Sequence, residues 1–285
     1  MKILLISKHS KYEWERKQLS LTHDELVSKY NKERANLDAI MEAHEKQLHV
    51  RTTFKRVFTD SKFCMMHELS DTITDYDMVM VLGGDNAFTY VSHYIKNIPV
   101  LGINSDPDRS TGHLLKWSAT DDQSIFDLAE VIDFHHYGIS KWTRLEATID
   151  GKVISPATSE YFFGERMRKN MSRHILVYRD KEYEQKCSGI LFTTGAGSTG
   201  WAHSSSNIPP WDPSDKYAGF VVTEPYMSEC NGGELLPGEE LTLYSLNDSE
   251  GYASSDSWEE FEFMRGSEAK IYIGSPLNIM IPKRV

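Results

Sequence analysis

Cysteine is scarce in this 285-residue chain. Cys64, Cys187 and Cys230 stand far apart, with no CxxC pair and no Cys/His spacing of a zinc site. An odd, sparse count argues against a disulfide framework and for a reducing compartment. Long apolar runs are missing too, and no stretch approaches the ~20 residues that cross a bilayer. The opening MKILLISKHS has too short an apolar core for a signal peptide and reads as a strand of a folded domain. Positive charge is in deficit, with 31 Lys and Arg against 42 Asp and Glu, a net charge of −11. Non-specific nucleic-acid affinity rests on Lys and Arg neutralising phosphates, so no nucleic-acid partner is expected. No internal repeat or low-complexity tract is visible. The expectation is a cytoplasmic protein with no membrane partner.

What is present is a globular composition, 40% hydrophobic, enough for one large domain or two modest ones. Residues 2–7 (KILLIS) read as a first strand. Residues 11–50 are charged and free of Gly and Pro, and Leu26, Tyr30, Leu37, Ile40 and Met41 recur at helical spacing. One or two amphipathic helices are expected there. Residues 51–58 (RTTFKRVF) read as a second strand, 75–82 (DYDMVMVL) as a third and 98–103 (IPVLGI) as a fourth, with a helix over 87–95. This alternation predicts an α/β domain with an open, mainly parallel sheet over residues 1–106. A further helix is expected within 121–138. From 139 onward, short alternating segments are punctuated by DG at 150–151, NGG at 231–233 and PG at 237–238. That texture predicts a mainly β, sandwich-like second domain over 107–266.

Two glycine loops stand out. The apolar run ending at Leu82 passes into Gly83, Gly84, Asp85 and Asn86. A strand, a glycine turn and a helix present unpaired main-chain N–H groups to an anion. Asp85 would repel a phosphate unless it meets magnesium or takes a proton from a hydroxyl. The plainer reading is a strand-ending turn in which Asp85 caps the next helix. The second loop, TTGAGSTGWAHS at 193–204, interleaves Gly195, Gly197 and Gly200 with hydroxyls and offers Trp201 as a stacking surface. It lacks the lysine of a Walker loop. Its plainer reading is a flexible hairpin tip.

Together GGDN, PVLGINSDPDRSTGHL (99–114), SEYFFGER (159–166) and KCSGILFTTGAGSTGWAHS (186–204) resemble the NAD kinases in order and spacing, above all the mitochondrial type. The likeness extends to SKHSKYEWE near the start and to SSDSWEEFEFMRGSEAKIYIGSP near the end, and so covers most of the chain. The resemblance implies a β-sandwich domain after the α/β domain, with the segment from about 267 to 285 returning to the first. It implies an active site between the domains, often completed by a neighbouring subunit, and hence a homodimer or higher homo-oligomer. It implies Mg²⁺-dependent transfer of phosphate to the adenosine 2′-hydroxyl of NAD, from ATP or polyphosphate. Asp85 then matches the general base, with Gly83, Gly84 and Asn86 around the phosphates. Ser159 and Glu160 match an Asn-Glu pair on the adenosine of NAD. Lys186 and Ser188 precede the second loop where the family often has a basic residue and an aspartate. Thr199, Gly200, Trp201 and Ser204 match contacts to adenine and ribose.

Four positions depart from that pattern. Asn86 replaces a glycine, Ser159 an asparagine, Gly200 an alanine and Trp201 a tyrosine. Two other functions fit the same residues: a weak or inactive nucleotide-binding regulator, and a kinase for another hydroxyl of the lipid type. Elsewhere, Arg109 reads as a phosphate clamp or as part of a polar interdomain linker. Arg166, Arg168, Lys169 and Arg173 read as a steering patch or a solvated face. His135 and His136 lack partners at metal-ligand spacing, and Asp256 sits near a late Asp-Gly of the family, with Ser257 in place of the glycine. Lys8 and His9 end the first strand, where open α/β sheets bind ligands.

Overall fold

The computed structural model describes residues 1–167 and 169–283. Arg168, of the basic cluster, and the last two residues of the expected 267–285 return lie outside the described residues. The chain forms two compact units: residues 1–139 with 279–285, and residues 140–278.

In the first unit β1 (Ile3–Ser7) leads to α1 (Lys11–Gln18), α2 (His23–Lys32) and α3 (Leu37–Val57). Three helices form where one or two were expected, because polar caps restart the helix each time. The side chains of Ser10, Thr22 and Asn36 accept the amides of Glu13, Glu25 and Ala39. Between the helices, Ser20 and Arg34 adopt positive φ, 52° and 56°, which a helix interior does not allow.

The expected strand over 51–58 is instead the second half of α3. Its Thr and Val favour strands, but Val50, Thr53 and Phe54 repeat at helical spacing and all three are buried. No Gly or Pro breaks the period, so tertiary burial of that face decides. The second strand is β2 (Lys62–Met65). Next come β3 (Met78–Gly83), α4 (Asp85–Ser92), β4 (Val100–Asn104), β5 (Trp117–Ser118), α5 (Asp122–Asp133) and β6 (Tyr137–Trp142).

The sheet runs β2-β1-β3-β4, continues to the chain's last strand and then to β6, with β5 paired to β4. The pairs β1–β2, β1–β3, β3–β4 and β4–β5 are all parallel. Every residue of β1, β3 and β4 is buried, as in a sheet covered on both faces. The expected domain end at residue 106 falls inside this unit. Ile125, Leu128, Val131 and Ile132 of α5 pack into the same core as Leu5, Met80 and Leu101, which holds residues 107–139 to the sheet.

Among its described residues the second unit is β apart from one short helix and a 3-10 turn at Gly197–Thr199. Its strands are β7 (Leu145–Ile149), β8 (Lys152–Val153), β9 (Glu160–Glu165), β10 (Ser172–Tyr178), β11 (Lys181–Cys187), β12 (Gly189–Thr193), β13 (Ala218–Thr223), β14 (Gly232–Leu235), β15 (Glu240–Ser245), β16 (Gly251–Ser255), β17 (Glu259–Glu262) and β18 (Glu268–Ile273). The helix α6 spans Trp201–Ser206. One sheet orders β11-β10-β15-β18-β7-β8 and the other β14-β13-β12-β9-β16-β17. One core holds Leu176, Leu243 and Ile271 from the first with Phe163, Phe192 and Phe220 from the second, the signature of a sandwich. The glycines of NGG lie in β14 rather than in a turn. β19 (Leu277–Pro282) then returns the chain to the first sheet, parallel to β4 at Ile279–Val100. Among the described residues no helix is long and apolar enough to cross a membrane.

The β16–β17 hairpin turns at Asp256 and Ser257, both with positive φ (48° and 60°), closed by a Trp258 N–H to Ser255 carbonyl bond of 2.9 Å. That is a type I′ turn, which favours glycine at its second position. Ser257→Gly should stabilise the protein by ~0.5–1 kcal/mol, the relief of left-handed strain outweighing glycine's entropy in the unfolded chain. A thermal melt should rise by about 1–4 °C, and an unchanged or lower midpoint would contradict the strain argument.

Candidate functional site

β3 ends at Gly83, and Gly84 occupies the N-cap position of α4 without any side-chain cap. Asp85 opens the helix but does not cap it. Its carboxylate accepts the amides of His113 (3.1 Å) and Leu114 (3.0 Å), tying the 106–114 loop to the glycine turn. Two amide donors fix the plane of the carboxylate, and each oxygen keeps a lone pair. Asn86 is exposed and lies within α4, so its replacement of glycine meets no left-handed backbone requirement.

The two glycines differ. A Cβ on Gly83 would stand 2.6 Å from the Ala87 Cβ, so the fold itself demands glycine there. A Cβ on Gly84 would meet only the Ser110 Oγ, at 3.6 Å, and φ there is −113°, open to any residue. The bare backbone at Gly84 is therefore surplus to folding and leaves room for a ligand. Gly84→Ala should leave the melting temperature within about 1 °C while raising the KM for a phosphate donor about tenfold, the cost of one lost close contact. Calorimetry and initial rates on one preparation measure both.

Arg109 is not a free clamp. It bonds the Asp106 carboxylate (3.2 Å) and Glu42 (2.6 Å), and its segment lies within the first unit rather than in a linker.

In the second unit the 193–204 loop is firmly built rather than a flexible tip. Thr194 and Ser198 are fully buried. Thr194 Oγ1 donates to the Thr158 carbonyl (2.6 Å), and Ser198 Oγ donates to the Gly195 carbonyl (2.8 Å). A Cβ on Gly195 or Gly197 would reach backbone oxygens of Asp212 or Ser159, at 2.4 and 2.3 Å. Those glycines and hydroxyls serve packing. The positions left to solvent are Thr199, Gly200 and Ser204, with Trp201 half-buried. Trp201 stacks on Phe162, centroids 4.8 Å apart at 18°. It lines a cleft of about 520 Å³ together with Ser188, Ser204, Arg166 and Tyr252. Ser188 Oγ donates to Glu224, and Ser204 Oγ donates to the Gly200 carbonyl at 3.2 Å. Lys186 stands apart from this cleft, paired with Glu184 at 3.3 Å.

Ser159 and Glu160 join the same cluster through Asp256. Its carboxylate accepts three successive amides, Thr158 (2.9 Å), Ser159 (2.8 Å) and Glu160 (2.9 Å). Burial, and then the Asp256 charge, push the Glu160 carboxyl up to about 8, while the Ala202 amide works the other way. The Glu160 Oε2 is buried with no hydrogen-bond partner among the described residues. Asp256 is the organising residue that sequence reasoning set aside. Its signal was the Asp-Ser hairpin turn, masked by the missing glycine.

Two members of the basic cluster are paired with acids, which leaves Lys169 exposed. Arg166 pairs with Glu260 and Glu250, and Arg173 with Asp248. His135 Nδ1 bonds the Ile132 carbonyl at 3.0 Å. Among the described residues no three His, Cys, Asp or Glu side chains cluster to hold a metal.

No family model matches the chain. A probable NADH kinase of Oryza sativa subsp. japonica is 27% identical over 194 residues, 57% of this chain and 57% of the relative. The mitochondrial NAD kinase 2 of Homo sapiens is 20% identical over 261 residues, 73% of this chain and 58% of the relative. The chain thus spans somewhat over half the length of these curated relatives. Two solved structures match over the whole chain: an NAD kinase from Archaeoglobus fulgidus in complex with ATP, with TM-score 0.66, 14% identity and 94% of that chain covered, and yeast NADH kinase complexed with NADH, with TM-score 0.73, 12% identity and 84% covered. At such identities the structural likeness establishes the fold.

Proposed function

We propose that this chain, a relative of the NAD kinases in sequence and in fold, transfers the γ-phosphate of ATP to the adenosine 2′-hydroxyl of NAD or NADH. The observation that carries the reading is the glycine turn, where backbone at Gly84 is left open beside a carboxylate held at a fixed angle. In the proposed step the 2′-oxygen attacks the γ-phosphorus. The bond to the bridging β–γ oxygen breaks, ADP leaves with that electron pair, and Asp85 takes the hydroxyl proton. Gly83, Gly84 and Asn86 face the phosphates.

Glu160 and Ser159 contact the adenosine, and Trp201 offers its ring to adenine with Thr199, Gly200 and Ser204 alongside. Ser188 lines the Trp201 cleft, while Lys186, paired with Glu184 away from it, is left without a role in this reading. One structural relative is complexed with ATP and the other with NADH, which supports this donor and a dinucleotide acceptor. A magnesium ion carried mainly by the donor's phosphates would leave Asp85 free to take the hydroxyl proton. Magnesium there would offset phosphate charge. The family likeness supports a homodimer or larger homo-oligomer, and the free thiols of Cys64, Cys187 and Cys230 suit a reducing cytoplasm.

The test is formation of NADP⁺ or NADPH by purified protein with ATP and Mg²⁺, read through an NADP-specific dehydrogenase. Turnover on either dinucleotide is the expected result. Binding of both without turnover would transfer the reading to a regulator that kept the nucleotide surfaces.

A further inference from the structure

β1 stops at Ser7, and Lys8 follows at the carboxyl edge of the sheet, beside the strand that carries the glycine turn. Its amide still bonds the Leu82 carbonyl, at 3.3 Å. Its side chain folds over Gly83: Cδ and Cγ lie 3.4 and 3.5 Å from where a Gly83 Cβ would stand. The side chain is partly buried, and among the described residues its ammonium makes no hydrogen bond or ion pair.

The neighbouring cations differ. Arg109 is held by Asp106 and Glu42, and Lys46 by Asp108. Asp106 offsets Lys8 electrostatically, but its carboxylate is already bonded to Arg109. An ammonium drawn out of water without a bonded partner is a cost that a well-placed anion would remove. Burial accordingly lowers the Lys8 pKa, with Asp106 opposing. The turn it overlies is the one where Gly84 has room for a ligand.

We infer that Lys8 is a phosphate ligand of this turn, its ammonium binding a phosphoryl group of the donor. The inference rests on the kinase reading for the identity of the donor. A lysine serves here as a compact point charge on the phosphate, as in other phosphate loops, without the planar geometry of an arginine. Arg109, which the sequence left open as clamp or linker, is held by Asp106 and Glu42, whereas the charge of Lys8 is uncommitted.

The experiment compares wild type with Lys8→Met for binding of ATP, adenosine and inorganic tripolyphosphate by calorimetry, and for steady-state rates. ATP affinity should fall at least about tenfold, the scale of one charge-assisted contact, and adenosine affinity should change less than about twofold. Tripolyphosphate should bind wild type and fail to bind the variant. The KM for ATP should rise with NAD affinity unchanged, and the melting temperature should hold or rise, since an unpaired buried charge has gone. Equal ATP affinity in a folded variant overturns the inference. So does a parallel loss of ATP and adenosine binding with a lower melting temperature, which marks a structural role. Lys8→Gln replaces Lys8→Met if the latter does not fold. Turnover with an unchanged KM for ATP in the variant would sink Lys8 and leave the kinase standing. Tripolyphosphate binding that needs Lys8, in a protein without turnover, would do the reverse.

Discussion

Asp85→Asn should lower kcat for NADP⁺ formation by about 10²–10⁴, the usual worth of a general base, and leave the affinity for ATP and NAD within a few-fold. Asparagine keeps the shape and one acceptor oxygen but cannot take the hydroxyl proton. The two amides on Asp85 complicate the substitution in a readable way. Asp85 accepts from both His113 and Leu114, so an asparagine must turn its NH₂ toward one of them. One donor is left unpaired, at about 1–3 kcal/mol if fully buried and less here, where His113 is exposed. A small fall in melting temperature is therefore expected beside the large fall in rate. Asp85→Ala separates the two roles. It frees both amides and should destabilise more than Asp85→Asn, yet slow the reaction no further if the base is what matters. Rates that track melting temperature across the pair would show that Asp85 only anchors the 106–114 loop.

The local frame of the candidate site was partly legible because some residue types have few other uses. A buried strand that ends in two glycines asks for a compensating contact, and at Gly84 the fold does not supply one. The same inference misleads in the second loop, where Gly195 and Gly197 are satisfied by close backbone of the protein itself. Glycine says that something approaches; at Gly195 and Gly197 the structure shows that it is the chain. The helix α3 was misread for a related reason. Its Thr-Thr-Phe and Arg-Val tail carries strand propensity, but the decisive quantity is which face finds a core, and Phe54 finds one as part of a helix. Asp256 escaped notice because its work is tertiary. It gathers amides from residues 158–160, almost a hundred positions earlier, and no local pattern reports that.

A large pH effect should come from Glu160. In the unfolded chain its carboxyl titrates near the ordinary ~4.3, whereas in the fold burial and the Asp256 charge raise it to about 8. Below about pH 4 both states hold the proton, and this group costs the fold nothing. Between about 4.3 and 8 the unfolded chain releases the proton while the folded protein keeps it. The unfolded state then binds fewer protons, so stability falls as pH rises across that window. Above 8 both states are ionised and the penalty is constant, on the order of a few kcal/mol. Glu160→Gln removes the ionisation and keeps a neutral side chain of the same length. Its melting temperature should match wild type near pH 4.5, exceed it increasingly up to pH 8, and run parallel above. The expected separation at pH 9 is about 5 °C or more, given ~2–4 °C per kcal/mol for chains of roughly this size. Parallel curves from pH 5 to pH 9 would mean that the carboxyl is solvated and ordinary. A widening gap would place a protonated carboxyl beside the Ala202 amide at neutral pH, poised to donate a hydrogen bond to a ligand there.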